Sequence, residues 1–323
     1  MKRFVTVTVG WLSILLCFAT SALAGSVVTV PVGTTPKFVA VNQTTNLIYV
    51  SNIEGNSVSV IDGTTNTVVA TVPVGEAPEA LDVNPITNMV YVASYLGDSV
   101  SVIDGSSNTV LATITEMDAN GVAVNSITNQ VFISSPSTNS VAVIDGATNE
   151  IVATVTVGYE PMGVRVNSTT NLIYVSNLLS ATISVIDGTN DKVTNTFTLP
   201  SFDGAKAEPN IIALDPITNR LFVVDGANEV VDVLDASTGT LLSTITADSV
   251  PWEPDYVAMF QPGKTILISD SSLGALLEVS ESSYAVSAVL KGGSDPFGIG
   301  VNRKMGKIYV AEEGTNTVNV YNK

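Results

Sequence analysis

Residues 80–114 read ALDVNPITNMVYVASYLGDSVSVIDGSSNTVLATI. Apolar and polar residues alternate in four short runs rich in β-branched side chains, and Asn, Asp, Gly and Pro stand between the runs. This pattern predicts four antiparallel strands over 80–84, 89–94, 100–104 and 109–114. The stretch also recurs along the chain. Val-Ile-Asp-Gly stands at 60–63, 102–105, 143–146 and 185–188, with Val-Leu-Asp-Ala at 233–236, so the Asp spacings are 42, 41, 42 and 48. Asn-x-x-Thr-Asn spans Asn42 to Asn46, Asn84 to Asn88, Asn125 to Asn129 and Asn167 to Asn171, with Asp215 and Asn219 in a fifth copy. A tetrapeptide follows each of these: Tyr49-Val50-Ser51-Asn52, Tyr91-Val92-Ala93-Ser94, Phe132-Ile133-Ser134-Ser135 and Tyr174-Val175-Ser176-Asn177. Weaker copies begin at Phe222, Leu267 and Tyr309.

Seven copies, with no convincing helical periodicity outside the first residues, turn a length that would otherwise suggest two domains into one repeat array. Residues 1–24 are read as a secretory leader. Lys2 and Arg3 form a positive head, an apolar run covers 9–19, and Ala22-Leu23-Ala24 supplies small residues for cleavage. The run is short for a membrane span. The single domain is then 25–323, or about 43 residues per copy, which is the size of a four-stranded propeller blade. The fold expected is all-β, a seven-bladed β-propeller. The last copy lacks a fourth strand, and the segment 26–33 is a spare one that matches 67–75. The N-terminal strand is therefore expected to complete the last blade and close the ring.

These recurring markers resemble the YVTN β-propeller repeat family, over essentially all of 26–323. The family is similar to surface-layer and periplasmic propeller proteins, and more distantly to propeller subunits of amine dehydrogenases and haem nitrite reductases. Copies five and six depart most, and Gly263-Lys264 replaces the Thr-Asn turn in the sixth. The resemblance implies the fold. It does not fix a function, because one fold hosts many chemistries.

Composition excludes more than it assigns. The chain has 323 residues, 30 Asp plus Glu, 13 Lys plus Arg, one Cys and no His, for a net charge of −17. Absence of His removes Ser-His-Asp catalysis and His-ligated haem or metal. The acid excess argues against nucleic-acid binding. Loss of the leader removes Cys17 and gives net −19, so an exported chain would hold itself together without disulfides. The Asp62, Asp104, Asp145 and Asp187 series could suggest calcium. One carboxylate per blade does not converge, however, and Asp-Gly-x-x-Asn reads better as a turn in which Gly takes a positive φ. The glycosylation patterns at Asn42 and Asn167 fall in turns and are read as coincidence. The aromatic residue at Tyr49 and its equivalents is read as core. No metal and no cofactor are expected.

Function is sought where the repeat breaks. The usual loop into the next blade, Gly-x-x-Pro, is lengthened by six residues between Thr196 and Pro209 and by three between Thr244 and Pro254. These loops carry Phe202, Glu208, Trp252 and Glu253. A lone loop Trp beside carboxylates suits a sugar, peptide or cationic ligand. The residue after each loop proline is expected to face the same mouth: Lys37, Glu79, Asn120, Met162, Asn210, Asp255 and Phe297. Tyr159 lies in the loop before Pro161. Three positions further on the residues are small except Asp82 and Arg165, which are expected to interact near the channel, directly or through water. The reading is an exported periplasmic or cell-surface protein, monomeric and without a membrane anchor after cleavage. It would bind a protein or glycan partner through its loop-rich face. One alternative is a His-free hydrolase or lyase that uses paired carboxylates on a glycan. A second is an accessory propeller of a periplasmic redox complex.

Overall fold

The computed structural model describes residues 27–201, 204–246, 252–261 and 264–323. The predicted leader and Phe202 lie outside them. Seven four-stranded antiparallel sheets form the blades of a closed ring. Blade two consists of Pro78–Asn84, Met89–Ser94, Ser99–Asp104 and Thr109–Thr115, in sequence order from the axis outward. The predicted strand boundaries differ from these by at most two residues. Among the described residues no helix is long and apolar enough to cross a membrane.

Ring closure follows the expected route. Val28–Pro31 pairs antiparallel with Thr317–Asn322, the last strand in the chain, and completes the sheet whose innermost strand is Pro296–Asn302. Pro31 is tolerated because this strand is outermost and its outer side needs no ladder partner.

The repeated motifs are joints between blades as well as turns. In Asn-x-x-Thr-Asn the first Asn accepts from its own turn, with Thr44 N–H to Asn42 Oδ1 at 2.9 Å. Its amide then donates to the last Asn of the next blade: Asn42 to Asn88 at 2.7 Å, Asn84 to Asn129 at 2.7 Å and Asn125 to Asn171 at 2.6 Å. Asn302 donates to Asn46 at 2.5 Å and carries the pattern across the closure. The last Asn of each motif takes the left-handed backbone, as Asn46 does at φ 61°. The glycosylation patterns are unusable in this folded state, because Asn42 and Asn167 are buried. The serine of the tetrapeptide is a third joint: Ser134 Oγ donates to the Met162 carbonyl at 2.6 Å and Ser176 Oγ to that of Asn210 at 2.5 Å.

The Asp series caps turns, as Asp62 Oδ1 shows by accepting from Thr64 N–H at 2.6 Å. One detail of that reading is corrected. The positive φ falls on Asn66, Asn108, Asn149 and Asp191, not on the glycines. Gly63 is required by crowding instead, since a Cβ there would sit 2.5 Å from Asn46 Oδ1. The predicted aromatic core is present: Tyr49, Tyr91, Phe132, Tyr174, Phe222 and Tyr309 are fully buried. Tyr174 Oη reaches the Ala236 carbonyl of the following blade at 3.0 Å.

Candidate functional site

The innermost strands of all seven blades begin at one mouth of the axial channel. Six of them start with a β-bulge, between Pro36 and Val39, Pro78 and Leu81, Pro161 and Val164, Pro209 and Ile212, Pro254 and Tyr256, and Pro296 and Ile299. Side chains on a regular strand alternate between faces. The extra residue of a bulge breaks that alternation and re-aims its neighbours. The first and second residues after the proline can therefore both turn toward the mouth.

A cavity of about 220 Å³ occupies this mouth. Lys37, Glu79, Asn120, Met162, Asn210 and Phe297 line it; five of these follow a loop proline, and Asn120 holds the same place behind Ala119. The seventh, Asp255, is half-buried beside it, and its Oδ2 accepts from Ser271 N–H at 2.7 Å. Phe38, Tyr256 and Arg165 line it as well, among smaller apolar residues. Phe38 and Tyr256 stand at the second post-proline position and were not anticipated. The sequence signal for them is large aromatics at a position held by Gly121, Gly163 and Gly298 in other blades.

Three rings form one wall. Phe38 lies 5.8 Å from Tyr256 and 5.4 Å from Phe297, centroid to centroid, in edge-to-face contact, and Tyr256 lies 6.0 Å from Phe297. Lys37 Nζ sits 3.5 Å above the Phe297 ring and 2.5 Å from Glu313 Oε1. Burial pushes the Glu79 carboxyl up, with Lys37 pulling it back. Burial also raises Asp255.

Asp82 and Arg165, expected to interact directly or through water, make no direct ion pair among the described residues. Asp82 Oδ1 accepts from Val83 N–H at 2.8 Å, and its Oδ2 accepts from Val124 N–H of the next blade at 2.9 Å. Arg165 donates to Tyr256 Oη across the channel and to its neighbour's Val164 carbonyl, both at 2.9 Å. Backbone donors close to Asp82 satisfy it without requiring the guanidinium. Desolvation raises the Asp82 carboxyl, and the two N–H groups and the field of Arg165 pull it down. Among the described residues no carboxylate lies in ion-pair contact with Arg165.

The lengthened loops place their residues differently from the expectation. Trp252 is 6% exposed and packs with Val224, Val231 and Tyr256 in the core between blades five and six. It is a structural wedge and does not offer a stacking surface for a ligand. The physical reason is area: a large indole next to an apolar seam gains more by burial than by standing in solvent. Glu208 and Glu253 are exposed, and their backbone N–H groups bond Asp225 and Asp270. Tyr159 lies away from the channel mouth, in a separate outer groove lined also by Tyr95 and Leu179.

No family model matches the chain, and no curated protein matches it by sequence. By structure it is similar to a chain of Kuenenia stuttgartiensis hydrazine synthase, with a TM-score of 0.80 and 18% identity over 90% of this chain and 96% of that one. At that identity the likeness concerns the fold alone.

Proposed function

We propose that this chain is an exported binding protein of the YVTN-repeat type and that its ligand seat is the channel mouth around Arg165. The observation that carries the reading is a guanidinium bonded to neutral oxygens, with no carboxylate of the described residues in ion-pair contact, in a cavity walled by three aromatic rings. A few convergent polar groups on an apolar wall are the usual make-up of a small-ligand pocket. Arg offers forked donors to a carboxylate or other acceptor group, and the rings offer a face to a sugar or an apolar side chain. The ligand is therefore a glycan or peptide end that presents an anionic acceptor beside an apolar surface.

Calorimetric titration with uronic acids, neutral oligosaccharides and peptides with a free C-terminus tests this. Wild type is expected to bind one of the acid-bearing ligands, and Arg165→Gln to weaken that binding by about ten-fold or more, as loss of a charged hydrogen bond implies. Equal affinity in the variant, or no binding anywhere in the panel, overturns the reading. Trp252 is buried, so its fluorescence is a poor reporter for this site.

Export rests on the positive head, the apolar run and Ala22-Leu23-Ala24. N-terminal sequencing of protein isolated from the native envelope or medium is expected to begin at Gly25. A chain that begins at Met1 and stays with the cytosolic fraction would contradict export.

A further inference from the structure

A second surface lies away from the channel. An open groove of about 520 Å³ runs over the rim formed by the connections of blades two, three and four. Tyr95, Tyr159 and Leu179 line it, and they are 44%, 67% and 55% exposed. Asp118 and Glu160 line it too, and no basic residue does. Large apolar side chains that share one exposed groove are unusual on a soluble surface, and Tyr is among the residue types enriched as interface anchors.

The groove is already shaped. Ser137 N–H donates to Asp118 Oδ2 at 2.6 Å, Tyr159 N–H to Ser180 Oγ at 2.7 Å and Glu160 N–H to Asn139 Oδ1 at 2.9 Å. These bonds hold the loops of adjacent blades to one another, so little ordering is left for a partner to impose. Lys206 donates to the Leu179 carbonyl at the far edge.

Charge identifies the occupant. Between Phe38 and Val164 the sequence contains twelve Asp and Glu and no Lys or Arg. This stretch covers blades two and three and most of blade one. Asp98 adjoins the groove, because its carbonyl accepts from Met117 N–H next to Asp118. Many acids of the repeat are consumed by their own turns, but among the described residues no turn donor bonds the Glu160 carboxylate or the second oxygen of Asp118. A predominantly negative field beside exposed Tyr and Leu, with Lys206 at its far edge, steers positive partners and repels acidic ones.

We propose that this groove docks an extended segment of a partner protein in which Lys or Arg alternates with apolar residues. Apolar side chains of the segment would lie on Tyr95, Tyr159 and Leu179, and its cations would face Asp118 and Glu160. The surface is separate from the channel mouth, so this assignment stands or falls independently of the ligand at Arg165.

The test uses the full mature chain and a fluorophore-labelled peptide, acetyl-Lys-Leu-Lys-Phe-Lys-Leu-Lys-amide, with a twin in which every Lys is Glu. Anisotropy titrations at low salt are expected to show saturable binding of the Lys peptide and none of the Glu twin. Tyr159→Ser, an exposed change, is expected to weaken binding by about ten-fold, in the range of an interface anchor. Glu160→Gln is expected to weaken it more than Glu150→Gln, which removes the same charge from an outer strand elsewhere. Failure of wild type to bind the Lys peptide overturns the proposal. So does unchanged affinity in Tyr159→Ser with its melting temperature intact, and so does an equal effect of Glu160→Gln and Glu150→Gln, since that result means diffuse attraction to an acidic surface.

Discussion

At pH 7.5 the Asp232→Asn protein is expected to unfold at a higher temperature than wild type, and at pH 4 at nearly the same temperature. Asp232 is fully buried in the third strand of blade five, Val230–Asp235. Its Oδ1 accepts from Thr244 Oγ1 at 3.1 Å, and its Oδ2 has no partner among the described residues. Neighbouring Asp225 is better served, with N–H donors from Glu208 and Asn228 on one oxygen and the Asn228 amide on the other. Burial first, and then the charge of Asp225, push the Asp232 carboxyl up from 3.8 to about 6, against the pull of Thr244.

A raised acid is held in its protonated form by the folded state. Folded protein then binds more protons than unfolded protein between these two values, so stability falls as pH rises from about 4 to about 6 and is flat above. The loss is on the order of 3 kcal/mol from a shift of this size. For a domain this large that corresponds to a melting shift of about 6 °C. Asn keeps the shape and acceptor and carries no charge. Blade seven already contains the equivalent arrangement, where Asn319 donates to Glu312 Oε1 at 2.9 Å. Thermal unfolding of both proteins across pH 4 to 8 reads the result. A gap that does not grow with pH, or a destabilised variant at pH 7.5, would show that the buried carboxylate is not the cause. Glu312, raised by burial to about 7, adds a second fall in stability in wild type between about pH 4.5 and 7.

The largest effect is expected from removing residues 27–32. Val28–Pro31 supplies the outer strand of blade seven, in register Val28 with Val320 and Val30 with Val318. Val30 is 3% exposed and packs on Ile48, Val50, Ile61, Val318 and Val320. Thr29 Oγ1 donates to Asn319 Oδ1 at 2.9 Å, and Val32 N–H to the Asn316 carbonyl at 3.0 Å. Truncation exposes the edge of Thr317–Asn322 and removes the clasp that joins the two ends of the ring. An open propeller leaves an unpaired apolar edge that recruits other chains. The truncated chain is expected to yield no monomer with the wild-type melting profile on size exclusion, and a synthetic peptide of residues 26–33 is expected to restore part of it. A truncated protein that elutes as a monomer and melts within a degree or two of wild type overturns this role.

Much of this molecule is legible along the chain because repetition multiplies weak local signals. One Asn-x-x-Thr-Asn turn is ambiguous, but five at nearly fixed spacing with a tetrapeptide behind each are not. The spare segment at 26–33 and the incomplete last copy even point to the closing partner. The candidate site was half legible. The proline marked the mouth, and five residues directly after it, with Asn120 at the same place behind Ala119, line the cavity. Phe38 and Tyr256 were missed because alternation assigns them to the opposite face, and a bulge in blade one that sequence does not announce turns Phe38 inward. Trp252 misled for the reverse reason. A loop insertion suggests exposure, yet the indole is buried in the core cluster of Val231, Tyr256 and Leu276.

By itself, then, the sequence determined the number of blades, their strands, the route of closure and the exclusion of His chemistry. All of these depend on periodicity or composition, which are properties of the chain alone. Tertiary structure decided which side chains meet. It gave the Asp82 carboxylate two backbone donors, and it set Arg165 against Tyr256 from two blades away. It also gathered Tyr95, Tyr159 and Leu179 into one groove on three blades. Contacts between distant repeats depend on blade spacing and on where a strand bulges. Both are fixed only when the ring closes and every backbone donor has found the nearest acceptor.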